Sequence, residues 1–593
     1  MKKTLTLLIL FSLPMLLYGQ IYNDYIGAGH DQGVIVSSSS QNNDDQLSID
    51  GSGVGKDLAG ASRFMSHATL GASLDDLLQV DAMGYESWLN QQFDLPATSY
   101  SGVLESIYNQ SYDYYVALGG DPEEYYANFL HFRNTWSHIT QNSADVLRHR
   151  VSLALSELLV ISSDSDLSES GFGLASYYDV LAENAFGNYK DLLMEVTLHP
   201  MMGFYLSHFN NPKSDLANNV HPDENYAREI MQLFSIGLYE LNPDGSRQLD
   251  AEGDYIPTYD NNDIKELAKV FTGLGMTDWI LPDIPQTPDF GYPFYYIDPT
   301  LPMTMYQNFH EPGSKTIVGD YTINEPGGMA EIELAVNHLF NHPNVGPFVG
   351  TRLIQRLIKS NPTPEYVERI TNVFNDNGSG VRGDLRAVVK AIIMDDEARA
   401  CEWIDHSSNG RLKEPIQRYT QYVKGLRAET TSGWFWNYGF AFEYFTDQFP
   451  MHSPTVFNFF LPDYQANSDF SDEFLVGPEF QIFNSSTSVG YFNYVYYMTL
   501  IDLNNELPEG DLDQLGVLEE YKAYLNIPDL QAINTKPEAV VDYLDLVIAN
   551  GNMSTETRDA IIASCDPLVD FPDYLLRMAL YLTMISPDFA VMK

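Results

Sequence analysis

His221-Pro-Asp-Glu-Asn-Tyr-Ala-Arg-Glu-Ile-Met-Gln-Leu-Phe-Ser-Ile-Gly-Leu238 is the stretch whose periodicity decides the fold. At about 100° per residue, Glu224, Asn225, Arg228, Glu229, Gln232 and Ser235 fall on one arc of a helix. Tyr226, Ala227, Ile230, Met231, Leu233, Phe234 and Leu238 fall on the opposite arc, which predicts an amphipathic helix. Pro222 suits a first helical turn, and Asp223 and Glu224 stand where the helix dipole favours negative charge. The polar arc gathers two carboxylates, a guanidinium and two amides within three turns. It is either a solvated face or the wall of a polar cleft.

The same periodicity recurs outward from this segment. It predicts helices over 58–68, 145–161, 175–186, 263–271, 329–341, 346–360, 364–376 and 384–394, with Ser73-Leu-Asp-Asp76 as the cap and first turn of another. The turn sequences Asn242–Ser246 and Asp250–Asp254 predict a small β-hairpin. Residues 277–325, crowded with Pro, Gly and aromatic residues, predict a long loop packed on the surface. The tract 430–495, loaded with Trp, Phe and Tyr, predicts a buried aromatic core, with a carbohydrate-contacting surface as the other reading. The fold class is mainly α: a large multi-helix globular body with long loops and a small hairpin.

The first twenty residues have the pattern of a secretory signal: Met-Lys-Lys, an apolar run from Leu5 to Leu17, then Tyr-Gly-Gln. Residues 21–55, rich in Gly, Ser, Asn and Asp, predict an extended low-complexity lead-in, with a short strand at 33–37. The main helical body then runs over 56–500, and a C-terminal helical region over 501–593 packs on it. No later segment has the roughly 20 apolar residues that a membrane span needs, so export without a transmembrane anchor is expected, to the periplasm, the cell surface or the extracellular space. Net charge is −49, and removing Lys2 and Lys3 with the signal gives −51. Such a surface repels nucleic acid and anionic lipid, because binding either requires Lys and Arg to displace counterions. Cys401 and Cys565 are far apart, and two free thiols are the ordinary outcome in a chain with enough core to fold without staples.

Three constellations carry candidate chemistry. On the 224–229 arc, Glu224 and Arg228 have ion-pair spacing, as do Asn225 and Glu229. Such a set grips a polar ligand, with Asn225 and Arg228 as contacts and a carboxylate, Glu224 or Glu229, as base; the structural alternative is a buried network that fixes neighbouring helices. In Asn308–Gly319, His310 beside Glu311 and Lys315 supply a proton shuttle and an anion contact. His338 and His342 have metal-binding spacing, but no Glu lies between them as a zinc protease requires, so no metal site is expected. The Asn375–Gly380 turn has Arg386 where a calcium loop needs Glu. No cofactor is expected, and calcium at the acidic turns of 250–263 is the weak exception. Serine-hydrolase elbows and phosphate or dinucleotide loops are absent from the sequence.

Eight blocks, taken in order, resemble the bacterial family called domain of unknown function 1800. They are Ala61–Gly71, Leu147–Ser156, Glu224–Glu229, Gln248–Tyr259, His310–Lys315, Ser453–Phe459, Pro478–Gln481 and Ile585–Phe589. The likeness spans about 55 to 593. It implies a large, exported, mostly helical bacterial protein with no established activity. Members of that family are often encoded beside family 1501, which looks like alkaline phosphatases and sulfatases, and this implies such a protein as partner. Glu311 stands where the family usually has Asp, and no catalytic residue carries over.

Two functional expectations follow. The first is an exported binding or assembly protein working with a partner protein. The alternative is a polar-cleft hydrolase acting on an envelope or extracellular polymer, with Glu224, Glu229 and His310 as acid–base groups and Arg228 and Lys315 as anion contacts.

Overall fold

Helical periodicity becomes a mainly helical structure among the described residues. The computed structural model describes residues 58–593 except 280–287, 325–326, 401–405, 407, 438, 468–469, 472–474, 502 and 505–517. The expected signal, lead-in, strand at 33–37 and Cys401 lie outside the described residues, while Cys565 is a buried free thiol. Among the described residues are 24 α-helices and four antiparallel two-stranded sheets. The chain is therefore mainly α. No described helix is long and apolar enough to cross a membrane.

Local chemistry sets the helix ends. The Leu74–Met83 helix starts in a capping box in which Ser73 Oγ accepts from Asp76 N–H and Asp76 accepts from Ser73 N–H at 2.8 Å. Thr363 caps the Pro364–Asn375 helix with proline in its first turn, and Asp384 caps Leu385–Met394. The expected helices at 329–341, 346–360 and 364–376 are Gly328–Phe340, Val345–Leu357 and Pro364–Asn375. One continuous apolar core runs from Ala61 to Phe589. Near its far end, Val591–Met592 pairs with Arg411–Leu412. Arg63 fastens the same region, donating to the carbonyls of Lys593, Arg399 and Ala398 at 3.1–3.2 Å.

The deciding segment forms a shorter helix than its periodicity predicts. Only Asn225–Gln232 is helical. Beyond it the backbone widens: both Leu233 and Phe234 donate to Glu229 O, Ser235 Oγ donates to Ile230 O, and Gly237 turns at φ +72°. The unwinding buries Ser235 from the polar arc and exposes Leu238 from the apolar one.

The hairpin expected at 242–254 is instead a pair of tight turns joined by isolated bridges, Leu241 to Arg247 and Leu249 to Tyr255. A regular hairpin lies in the predicted loop, where Lys315–Ile317 pairs with Tyr321–Ile323 and the chain reverses through Gly319 and Asp320 at positive φ.

One glycine holds two distant parts of the fold together. Gly71 has φ +137°, and a Cβ there would lie 2.8 Å from Thr420 O and 3.0 Å from Gln421 Cα. Only a residue without a side chain lets this turn meet the Pro415–Gly425 helix. Gly71→Ala is expected to cost about 2–4 kcal/mol of unfolding free energy, measured by urea denaturation; a loss under about 1 kcal/mol would show that the turn simply moves away.

Candidate functional site

The two blocks expected to form a site each pack against the Asn261–Val270 helix, and no hydrogen bond or ion pair joins them among the described residues. Glu224 and Arg228 form the ion pair that their spacing predicts, at 3.6 Å. Their side chains are 38% and 40% exposed, which makes this a solvated pair of small energetic weight. Asn225 donates its backbone N–H to Asp223 Oδ1, with its side-chain amide 3.5 Å from Ser207 Oγ.

Glu229 turns inward, and its Oε2 is buried without a hydrogen-bond partner. Burial pushes this carboxyl up to about 7, with the Arg228 charge pulling the other way.

His310 and Lys315 are brought together, but in the interior. His310 Nδ1 lies 2.8 Å from Thr272 O and Nε2 lies 3.0 Å from Glu331 Oε2. Lys315, fully buried, donates to Glu331 Oε2 at 2.5 Å and to Glu311 O at 2.6 Å. Glu331, on the Gly328–Phe340 helix, is the partner that the sequence did not reveal. Glu311 faces elsewhere and accepts from Ser214 N–H at 2.6 Å. Each charge in this triad is satisfied by the others, so it fastens the hairpin to two helices and presents no open position to a ligand.

The remaining candidates have separate partners. His338 Nε2 lies 2.8 Å from Val318 O and its ring stacks on Tyr321, whereas His342 lies 3.6 Å from Glu240. Asp250 accepts the backbone N–H groups of Glu252 and Asp254. No three His, Cys, Asp or Glu side chains among the described residues are placed to hold a metal ion.

One arrangement that the sequence did not signal has the order of a hydrolytic triad. Ser163 Oγ lies 2.9 Å from His452 Nδ1, and His452 Nε2 lies 3.8 Å from Glu443 Oε1. The serine hydroxyl gives its one proton to Met451 O at 2.7 Å, so the ring nitrogen donates to Oγ and does not draw a proton from it. With Ser163 buried, this is a clasp between two loops.

A roomy hollow lies elsewhere. A cleft of about 490 Å³ opens where the Gly71 turn, the Tyr85–Asp94 helix, the 141–146 connection and the end of the Pro415–Gly425 helix meet. Two of its amides build the walls. Gln92 donates to Ala144 O and accepts from Leu147 N–H, and Gln141 donates to Ala428 O at 2.7 Å. Gln79, Gln91 and Asn142 line the cleft with exposed side chains, and Trp88 backs it. Lys424 donates to Thr140 O at 2.8 Å and makes no ion pair within 4 Å among the described residues. Burial lowers its pKa, and the Asp76 and Asp145 charges oppose that shift. The volume falls within the range of about 300–1,000 Å³ usual for ligand pockets. Asp76, Arg427 and Glu429 also line the cleft, and this mixture of amides with charges of both signs offers the donors and acceptors that a hydroxyl-rich ligand needs. Its residues come from four segments with no motif in common, and only Met65 and Gly71 stood inside a block noted for family resemblance.

Two outcomes follow. Lys315→Met is expected to cost about 3–5 kcal/mol, because it strands a buried carboxylate, whereas Arg228→Ala stays within about 0.5 kcal/mol; equal losses in chemical denaturation would contradict this placement. For Glu229, the raised pKa keeps the folded chain protonated at pH values where the unfolded chain has ionised, so raising the pH from about 4 to 8 favours unfolding. Glu229→Gln removes that linkage. The variant should match the parent at pH 4 and exceed it by roughly 2–3 kcal/mol at pH 8, as read from melts at both pH values.

Comparison with known proteins gives one match. The family model described as "Protein of unknown function (DUF1800)" matches residues 63–591. Neither a curated protein nor a solved structure matches the chain. With the match running through nearly the whole helical body, the chain belongs to the DUF1800 family.

Proposed function

We propose that this is an exported binding protein of the cell envelope or extracellular space, which holds a saccharide segment in the Gln91–Lys424 cleft while it works with a partner protein. The observation that carries the reading is the cleft itself: about 490 Å³, lined by amides, by Asp76, Arg427 and Glu429, and by the Lys424 ammonium, which makes no ion pair among the described residues. Amide donors and acceptors match sugar hydroxyls, and an indole at the back supplies apolar surface. The signal-like N-terminus supports export, and the net charge of −49 supports a soluble protein that avoids nucleic acid. By the family resemblance, the partner is a family 1501 protein of the phosphatase or sulfatase type.

The test is retention of envelope and extracellular polysaccharides by the mature protein, followed by affinity measurements with fragments of whichever polymer is retained. Gln91→Ala and Asn142→Ala, both at exposed positions, should together weaken binding at least tenfold without moving the melting temperature. Failure to retain any such polymer, or unchanged affinity in the double variant, refutes the reading.

One observation favours the hydrolase alternative, namely the Glu229 carboxyl raised to about 7 with an unpaired oxygen. In that case Glu229→Gln would abolish release of polymer fragments by the wild-type protein; a wild type that releases none removes this alternative.

A further inference from the structure

A group of charges lies deep in the core, assembled from four distant segments. Arg150, on the Val146–Ser156 helix, donates to Arg356 O at 2.5 Å. Arg411 donates to Glu414 Oε1 at 2.7 Å and to Gln417 Oε1 at 2.5 Å, and lies 3.7 Å from Glu479. Gln448 donates to the other oxygen of Glu414 at 2.7 Å. Arg356 Nε lies 2.9 Å from Glu157 Oε2, and the Glu157 and Glu414 carboxyls hydrogen-bond each other. All of these residues are buried.

The contact between two carboxyls fixes their protonation. Two carboxylates repel, so the pair forms only when one member carries a proton. Glu414 is the ionised one. Burial works against its charge, but Arg411 and the proton offered by Glu157 hold it down to about 2. Glu157 is the acid, raised well above the usual carboxylate range by burial and by the charge of Glu414. Glu479 is raised as well, chiefly by burial. The interior therefore holds three guanidiniums, of Arg150, Arg356 and Arg411, against at most two carboxylates, those of Glu414 and Glu479. Positive charge is left over.

That excess faces a cleft. Glu157 and Arg356 form the inner wall of an open hollow of about 70 Å³, separate from the amide-lined one. Arg352 joins them there. It stands one turn before Arg356 on the Val345–Leu357 helix, so two guanidiniums share one face. Arg352 donates to Gln355 at 3.0 Å and makes no ion pair within 4 Å among the described residues, with Asp463 acting only from farther away. Arg356 Nη1 is buried and has no hydrogen-bond partner. Around them the walls are apolar, formed by Leu233, Phe348 and the exposed ring of Phe457. Neighbouring like charges and an unspent buried donor together make an incomplete site, and the missing part is an anion.

We propose that this cleft binds an oxyanion, a carboxylate, phosphate or sulfate group carried on a short apolar stem, through Arg352 and Arg356. The volume admits one such group with part of its stem. The planar guanidinium of Arg356 offers its free N–H to one oxygen, and the guanidinium of Arg352 reaches another. The site does not depend on saccharide binding in the larger cleft.

Calorimetric titration of the full mature protein with hexanoate, acetate, inorganic phosphate and inorganic sulfate tests the proposal and separates the sources. Saturable binding of at least one of them is expected. Hexanoate exceeding acetate identifies a stem-borne carboxylate, and phosphate or sulfate exceeding both identifies a tetrahedral group. Arg352→Gln should weaken the preferred probe at least tenfold, and Arg352→Lys should recover part of the loss. Phe457→Glu, at an exposed rim position, places a carboxylate beside the two arginines and should abolish binding without changing the melting temperature. This variant decides the matter should Arg352→Gln fail to fold. Affinity should also fall as pH rises, because ionised Glu157 neutralises Arg356 from within. Absence of binding by the wild-type protein, or full binding by Phe457→Glu, overturns the proposal.

Discussion

The ion pair between Arg411 and Glu414 is the interaction on which the rest of this structure depends. Both side chains are buried, and a charge brought out of water costs several kcal/mol unless geometry and hydrogen bonding offset the loss. The pair meets that demand by recruiting its neighbours. Arg411 also donates to the carbonyl of Gln355 at the end of the Val345–Leu357 helix, and its backbone pairs with Met592. Glu414 stands at the cap of the Pro415–Gly425 helix and accepts a hydrogen bond from Gln448. One salt bridge thus sets where a helix ends, where another begins and where the last strand lies. Removing either member would leave the other charge stranded among apolar side chains.

This dependence explains what was legible in the sequence and what was not. Helices were legible because they follow from local periodicity and caps: Leu58–Ala68 has the predicted bounds, and the three helices between 328 and 375 begin within a residue of prediction. The end of the Asn225–Gln232 helix was not, because unwinding at Leu233 comes from tertiary burial of Ser235 and Phe234, which periodicity cannot weigh. The hairpin through Gly319 and Asp320 carried a readable Gly-Asp signal, but it was submerged in a Pro- and aromatic-rich tract.

The site was harder still. Arg150, Glu157, Arg356, Arg411 and Glu479 have no common spacing, since what unites them is a meeting of segments up to 329 residues apart, from 150 to 479. Three of the blocks noted for family resemblance, at 147–156, 453–459 and 478–481, meet around this charge group and the small hollow beside Glu157. Charged residues are mostly solvated in folded proteins, and nothing in the spacing of those blocks marks Arg148, Arg150 or Glu479 as interior. Only packing reveals an Arg within a helix that is buried on every side, as Arg150 is.

The net charge of the chain bears on how an anion would reach such a cleft. With −49 overall, the far field repels anions, and no steering brings one in. At physiological ionic strength that repulsion fades within about 8–10 Å, so a ligand at the rim feels chiefly the nearby guanidiniums. Inside, where the effective dielectric is low, two adjacent arginines outweigh many distant surface carboxylates. Recognition is then a contact event: slow to begin, quickened by added salt that screens the acidic surface, and selective for a group whose apolar stem fits between Phe348 and Phe457. A small free anion lacks that stem. The same oxyanion fixed to a polymer or a partner protein brings the stem with it, and this is the form of ligand that an acidic surface and a basic, apolar-walled cleft together favour.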